Sequence, residues 1–263
     1  MTLHPKLEGI PPIYYLNLDH DVLRRSYMEH QFKSWGIENY IRVSTSKFWR
    51  NDFQNWSHLI HKKETIPLDR YRSLAVSVSY LDLIKNWLET TNEPYLFMME
   101  DDTDISLIKY WHFTWNQMFK NIPYDWDGFQ LTFNSNKAIC CFLHPKTLSS
   151  WNGPIIITRY YAEKLVRLYF YDGKYDFTKD SKRKNICSFV RDVDDFLGYN
   201  GKVYQIPVFS QKTELDETQR PAHVESNKAH YHWWTVMRDQ FSLEDFFTYS
   251  KPNDAKMIIP IKI

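Results

Sequence analysis

Charge of either sign is barely in excess in this sequence: 33 Lys and Arg stand against 32 Asp and Glu, a formal net charge of +1 over 263 residues. No global field therefore draws the chain to nucleic acid. Long apolar runs are also missing. Nowhere do the roughly 18 consecutive apolar residues of a membrane span occur, and the opening MTLHPKLEGIPP lacks the apolar stretch of a signal peptide. The expectation is a soluble protein of the cytoplasm. Cysteine is scarce: Cys140, Cys141 and Cys187 are odd in number and include an adjacent pair. That fits neither a disulfide framework nor a spaced zinc knuckle, so reduced, packing cysteines are expected. No repeat, low-complexity tract or linker interrupts the chain, and a single domain over 1–263 is the simplest organisation.

What the chain does have is aromatic residues, 17% of the total, suited to core packing and to stacking on bases or sugars. IYYLNLD (Ile13 to Asp19) reads as a buried strand. After it, Leu23, Tyr27, Met28, Phe32 and Trp35 recur at helical spacing, with Asp19 or Asp21 as the cap and Gly36 as the stop. YIRVST reads as a second strand, and Lys47 to Arg72 as a long irregular loop. Leu74, Val78, Leu81, Ile84 and Leu88 form one face of a helix before the strand YLFMM. A helix through Trp111, Trp115, Met118 and Phe119, a strand at GFQLTF, a strand PIIIT, a helix through Tyr161, Leu165 and Leu168, and a late strand VYQIPVF follow. Strands alternating with helices predict an α/β domain with a mainly parallel, Rossmann-like central sheet.

The stretch YLFMMEDDTDI places four acids, Glu100, Asp101, Asp102 and Asp104, directly after an apolar strand. In an open α/β sheet, ligands bind beyond the carboxyl ends of strands. Adjacent carboxylates repel unless a cation lies between them, and Mg²⁺ or Mn²⁺ is the usual remedy, held by one or two carboxylates and substrate phosphates. The plainer alternative is that the acids cap the following helix.

Several blocks, in order, resemble family 25 glycosyltransferases, the group of lipooligosaccharide-biosynthesis and collagen galactosyltransferases. They are YYLNLDHDVLRRSYMEHQFKSWGIENYIRVST, SVSYLDLIKNWLE, LFMMEDD, YDWDGFQL, GPIIITRYYAEKLV, RDVDDFL and IPVFSQ, spanning roughly residues 13 to 211. Where that family has Ser-His on its helix, this chain has Ser79 and Tyr80, and the cysteine often found before it is absent. The C-terminal fifth has no counterpart.

The resemblance implies a GT-A type fold and a metal-dependent transfer, with inversion, of a hexose from a nucleotide diphosphate to an acceptor hydroxyl. Galactose from UDP-galactose is the family's commonest donor, and Mn²⁺ or Mg²⁺ the implied cofactor. Asp102, with Asp104 two positions on, is the expected metal ligand pair; Glu100 and Asp101 would orient ribose or sugar. Asn17 and Arg25, just beyond the first strand, would hold base and phosphates, although a solvated helix position explains Arg25 equally well. A base must take the acceptor proton; the family's Val-Asp falls on Asp194, flanked by Asp192 and Asp195, with helix capping as the alternative. His223, His230 and His232 are available as a further metal ligand, His223 being preferred, and Trp233 and Trp234 as an acceptor platform or as packing. The acceptor expected is a saccharide such as a lipid-linked lipopolysaccharide precursor, met transiently at the inner membrane surface. An inactive carbohydrate-binding relative, an enzyme glycosylating protein or modified DNA bases, and a metal-dependent nuclease are the competing classes. Near-zero charge disfavours the last.

Overall fold

The computed structural model describes residues 2–63, 66–132, 138–140, 142–146, 153–177, 192–215, 221–247 and 258–260. Cys141 and Cys187 lie outside the described residues, as do the side chain of Cys140 and the basic cluster SKRK.

β1 (Ile13–Asn17) leads through α1 (Val22–Trp35) to β2 (Tyr40–Ser44). Then come α2 (Phe53–Trp56), α3 (Tyr71–Thr90), β3 (Tyr95–Glu100), the short β4 (Thr103–Asp104), α4 (Trp115–Lys120) and β5 (Gly128–Gln130). β6 (Ala138–Cys140), β7 (His144–Pro145), β8 (Ile155–Thr158), α5 (Arg159–Tyr169), β9 (Phe170–Tyr171) and β10 (Lys174–Tyr175) follow. α6 (Val193–Gly198), β11 (Val203–Gln205), β12 (Ser210–Gln211), α7 (Pro221–His232), α8 (Leu243–Phe247) and β13 (Ile258–Pro260) complete the order.

Seven strands form the central sheet in the order β2-β1-β3-β8-β5-β11-β7. β1 is parallel to β2 and β3, and β5 to β11. β8 is antiparallel to both its neighbours β3 and β5, and β7 is antiparallel on the far edge. The sheet is thus mixed and mostly parallel, with helices on both faces. Alternation along the strands divides the core in two. Ile13, Tyr15, Phe97, Met99 and Ile156 pack with Met28 and Phe32 of α1 and with Trp115 and Met118 of α4. Leu16, Leu96, Met98, Ile155 and Ile157 face α3, α5 and α6 instead. Ile155, Ile156 and Ile157 of β8 are completely buried, on both faces of the sheet, which explains why PIIIT is a continuous apolar run with no alternation to read. Among the described residues no helix is long and apolar enough to cross a membrane.

α1 starts where its Asp21 side chain accepts from the Arg24 N–H at 3.2 Å, and stops at Gly36, whose φ is 68°. Any Cβ at Gly36 would lie 2.2 Å from the Thr2 carbonyl oxygen, so backbone conformation and space both call for glycine there. Leu23, counted by spacing on the buried face, is exposed.

Two expectations are corrected here. Lys47 to Arg72 is not an irregular loop: Phe48, Phe53, Trp56 and Ile60 are buried against the α3 side of the sheet, on short 3-10 turns and α2. Phe48, Phe53 and Trp56 are core residues at a spacing too short-ranged to show a helical period. Nor is Leu107 to Phe119 one helix. A 3-10 turn over Ser106–Tyr110 ends before an extended stretch, and α4 starts afresh at Thr114. There Thr114 Oγ1 accepts from the Gln117 N–H (3.2 Å) while Gln117 Oε1 accepts from the Thr114 N–H (2.8 Å), a reciprocal cap. Thr114→Ala should therefore cost about 1 kcal/mol in urea denaturation; an unchanged midpoint would show that this cap carries no stability.

Candidate active site at the carboxyl ends of β1 and β3

The chain leaves β1 toward β2 on one side and returns through α3 to β3 on the other. The carboxyl ends of β1 and β3 therefore meet at a topological switch point, where a crevice opens in sheets of this kind. Asn17 ends β1 and Glu100 ends β3. The acids of the opening motif fall at this point, and the structure gives each a different environment.

Asp101 and Asp102 are both buried, at 8% and 5% exposure. Asp101 accepts from Asn17 Nδ2 at 2.8 Å through one oxygen and from Arg24 Nη1 at 2.9 Å through the other. Burial raises its carboxyl above the usual range, against the opposing pull of Arg24 and the Asn17 hydrogen bond. Asp102 accepts from Gln211 Nε2 at 3.0 Å and lies 3.6 Å from Arg24 Nη1. Arg24 also pairs with Asp21 (3.2 Å) and donates to the Leu215 carbonyl (2.5 Å). Burial alone would make this guanidinium easier to deprotonate; Asp101 and Asp102 more than offset that, so it stays charged.

Asn17 is 1% exposed and its amide is committed within the protein: Nδ2 donates to Asp101 and the Asp21 carbonyl, and Oδ1 accepts from Arg42 Nε at 2.9 Å. It positions the acids. Arg25 is half-buried and makes no side-chain hydrogen bond to a described residue; the arginine at the acids is its neighbour Arg24. Glu100 is half-buried and accepts from the Tyr80 hydroxyl at 3.3 Å. Tyr80 stands where the resembled family has His. Its hydroxyl is held well above its usual pKa by burial and by Glu100, so it remains a neutral donor across the physiological range. Asp104 accepts from the Ser106 N–H at 2.8 Å, the local turn-capping bond of the plainer alternative.

Asp194 and Asp195 lie in the first turn of α6, with Asp192 at its cap position. Asp194 is within electrostatic reach of Tyr80 and of Lys146. Sequence reasoning missed Lys146. Its ammonium donates to Gln130 Oε1 at 2.7 Å, and burial lowers it to about 8 against Asp194 and Asp195, which act to raise it. A Cβ at Gly198 would come 2.2 Å from Lys146 Cε, so α6 ends in glycine where the lysine stem passes.

α7 brings the C-terminal segment to the same place. Asn227 brackets the Gln211 backbone, accepting from its N–H (3.2 Å) and donating to its carbonyl, and so fixes the side chain that bonds Asp102. His223 is one helical turn away on that face, at 8% exposure. His230 is fully buried, and burial depresses its pKa to about 3; His232 is exposed. Trp233 and Trp234 are core residues and not a surface platform: both are buried, and Trp234 Nε1 donates to the Pro207 carbonyl at 2.7 Å.

The oxygen chemistry of Asp101 and Asp102 suits Mn²⁺ or Mg²⁺, but their arrangement does not. A guanidinium stands where a divalent ion would, and Asp102, Asp104 and His223 are not gathered into a ligand set. Among the described residues no three His, Cys, Asp or Glu side chains converge to hold a metal.

No family model and no curated protein matches the chain. Among solved structures the chain is similar to the crystal structure of A197 from STIV, at 12% identity over 75% of this chain and 82% of that one. The TM-score of 0.36 is too low for that likeness to carry function.

Proposed function

We propose that this chain is a glycosyltransferase with a GT-A type fold, moving a hexose from a nucleotide sugar, galactose from UDP first among candidates, to a saccharide hydroxyl. The observation that carries the reading is the position of the Glu100–Asp102 acids, at the switch point between β1 and β3, with Asp194 within electrostatic reach of the Tyr80 hydroxyl that bonds Glu100. The ordered resemblance to family 25 enzymes supports it. In this reading Glu100, half-buried, meets donor hydroxyls, while Asn17 and Arg24 fix the acids behind it. Asp194 accepts the proton of the acceptor hydroxyl. That oxygen bonds to the anomeric carbon from the face opposite the diphosphate, and the diphosphate leaves with the electron pair, giving inversion. A lipid-linked surface saccharide reached from the cytoplasm is the proposed acceptor class.

The test is a panel of nucleotide sugars, following release of nucleotide diphosphate and stabilisation of the fold by each donor. One donor should raise the melting temperature and turn over. Asp102→Asn should cut that turnover at least tenfold, because Gln211 and Arg24 lose an ionised anchor. A panel in which no nucleotide sugar binds or reacts rejects the reading in favour of a saccharide-binding protein.

A further inference from the structure

Arg24 is engaged through all three of its guanidinium nitrogens. Nε faces Asp21, Nη1 faces Asp101 and Asp102, and Nη2 reaches the carbonyl of Leu215, 191 residues away in sequence. The segment it touches is fastened to the same acids from its other end. β12 pairs with β4, Gln211 Nε2 bonds the Asp102 carboxylate, and the Lys212 N–H donates to the Asp102 carbonyl at 2.6 Å. Asn227 holds Gln211 from behind, and Leu215 N–H closes the turn onto the Lys212 carbonyl at 3.0 Å. One cation thus answers two buried carboxylates and ties down the strap that is hydrogen-bonded to one of them. A divalent ion at this pair would have to displace the guanidinium, break its bond to Leu215, and leave a half-buried arginine without its partners.

We propose that Arg24 is the built-in counter-cation of Asp101 and Asp102 and the latch of the Lys212–Leu215 strap, so that the folded protein takes up no divalent metal at this pair. The inference deepens the transferase reading of the site and rests on it for the site's purpose, but its test uses no sugar. Mn²⁺ is titrated into the 263-residue chain and the free ion followed by electron paramagnetic resonance, with Asp102→Asn in parallel. The two isotherms should superimpose into the millimolar range. A saturable component in the wild type that Asp102→Asn removes would overturn the proposal. The latch is read by hydrogen–deuterium exchange. In Arg24→Gln the Lys212 and Leu215 amides should exchange at least tenfold faster, while those of α3 report whether the fold survives. Arg24→Lys, which keeps the charge and loses the fork, serves if Arg24→Gln does not fold, and should show a smaller rise of the same sign. Unchanged exchange at both amides in a folded variant also overturns the proposal. Failure here leaves nucleotide-sugar turnover untouched, and absence of turnover leaves both measurements valid.

Discussion

Asp194→Asn is expected to slow sugar transfer by roughly 10²- to 10⁴-fold while donor affinity stays close to that of the wild type. Asparagine fills the same space and keeps one carbonyl oxygen, so the first turn of α6 should persist; what disappears is the ability to take a proton. The surroundings suit that task. Lys146, held by Gln130 Oε1, provides a cation of the sign that favours an ionised carboxylate, and Tyr80 presents a hydroxyl that does not titrate near neutrality. Single-turnover rates at saturating acceptor, together with calorimetric donor binding, separate the possibilities. Loss of donor affinity in step with rate would move Asp194 to the donor site, and full activity would remove it from the chemistry.

Stability should fall by roughly 3–4 kcal/mol between pH 7 and pH 5, on the scale of 1.36 kcal/mol per pH unit for each group concerned. The cause is two histidines folded in their neutral form. His144 is 1% exposed, its Nδ1–H donates to the Phe142 carbonyl at 2.6 Å and its Nε2 accepts from Gln205 at 2.7 Å. Burial lowers its pKa to about 4, and that of His230 to about 3. In the unfolded chain both titrate near 6.5. Below that value the unfolded state binds protons that the folded state refuses, so stability is complete above about pH 7 and drains as pH falls toward the folded values. Urea denaturation at both pH values measures the loss. His144→Gln should remove about half of the slope, and a slope that neither His144→Gln nor His230→Gln reduces would assign it to carboxylates.

How far the sequence could be read is clearest at α1. Strand, helix and glycine stop were all visible, and the acids were correctly placed at a strand end. The pairing of Arg24 with the acids has no such signal, since Arg24 and Arg25 are adjacent and alike in the sequence. With Asp21 as the cap, Arg24 falls at the third helical residue, the position that folds back toward the cap and here meets the acids. In the sequence Tyr80 is only a departure from the family pattern; its hydroxyl bond to Glu100 depends on how α3 packs on β3, which no local pattern encodes. Gln211 and Lys146 are long-range partners of the same kind. The hairpin β9–β10 carried a local signal in YDGK, where Asp172 and Gly173 take φ of 51° and 71°, the turn that Asp-Gly favours. The antiparallel sense of β8 carried none, since a strand buried on both faces looks the same in either direction.

That reversed strand governs how the protein is made. β8 is the seam between β3 and β5, yet it is synthesised after both. Until residues 155–158 leave the ribosome, the β2-β1-β3 block presents an unpaired apolar edge along Tyr95–Met98, and β5 has no neighbour in the sheet. Closure between segments so distant in sequence is slow, and an open edge of this kind is a template for pairing with another chain. Until Ile155, Ile156 and Ile157 pair with it, that edge is the part of the sheet open to pairing with another chain.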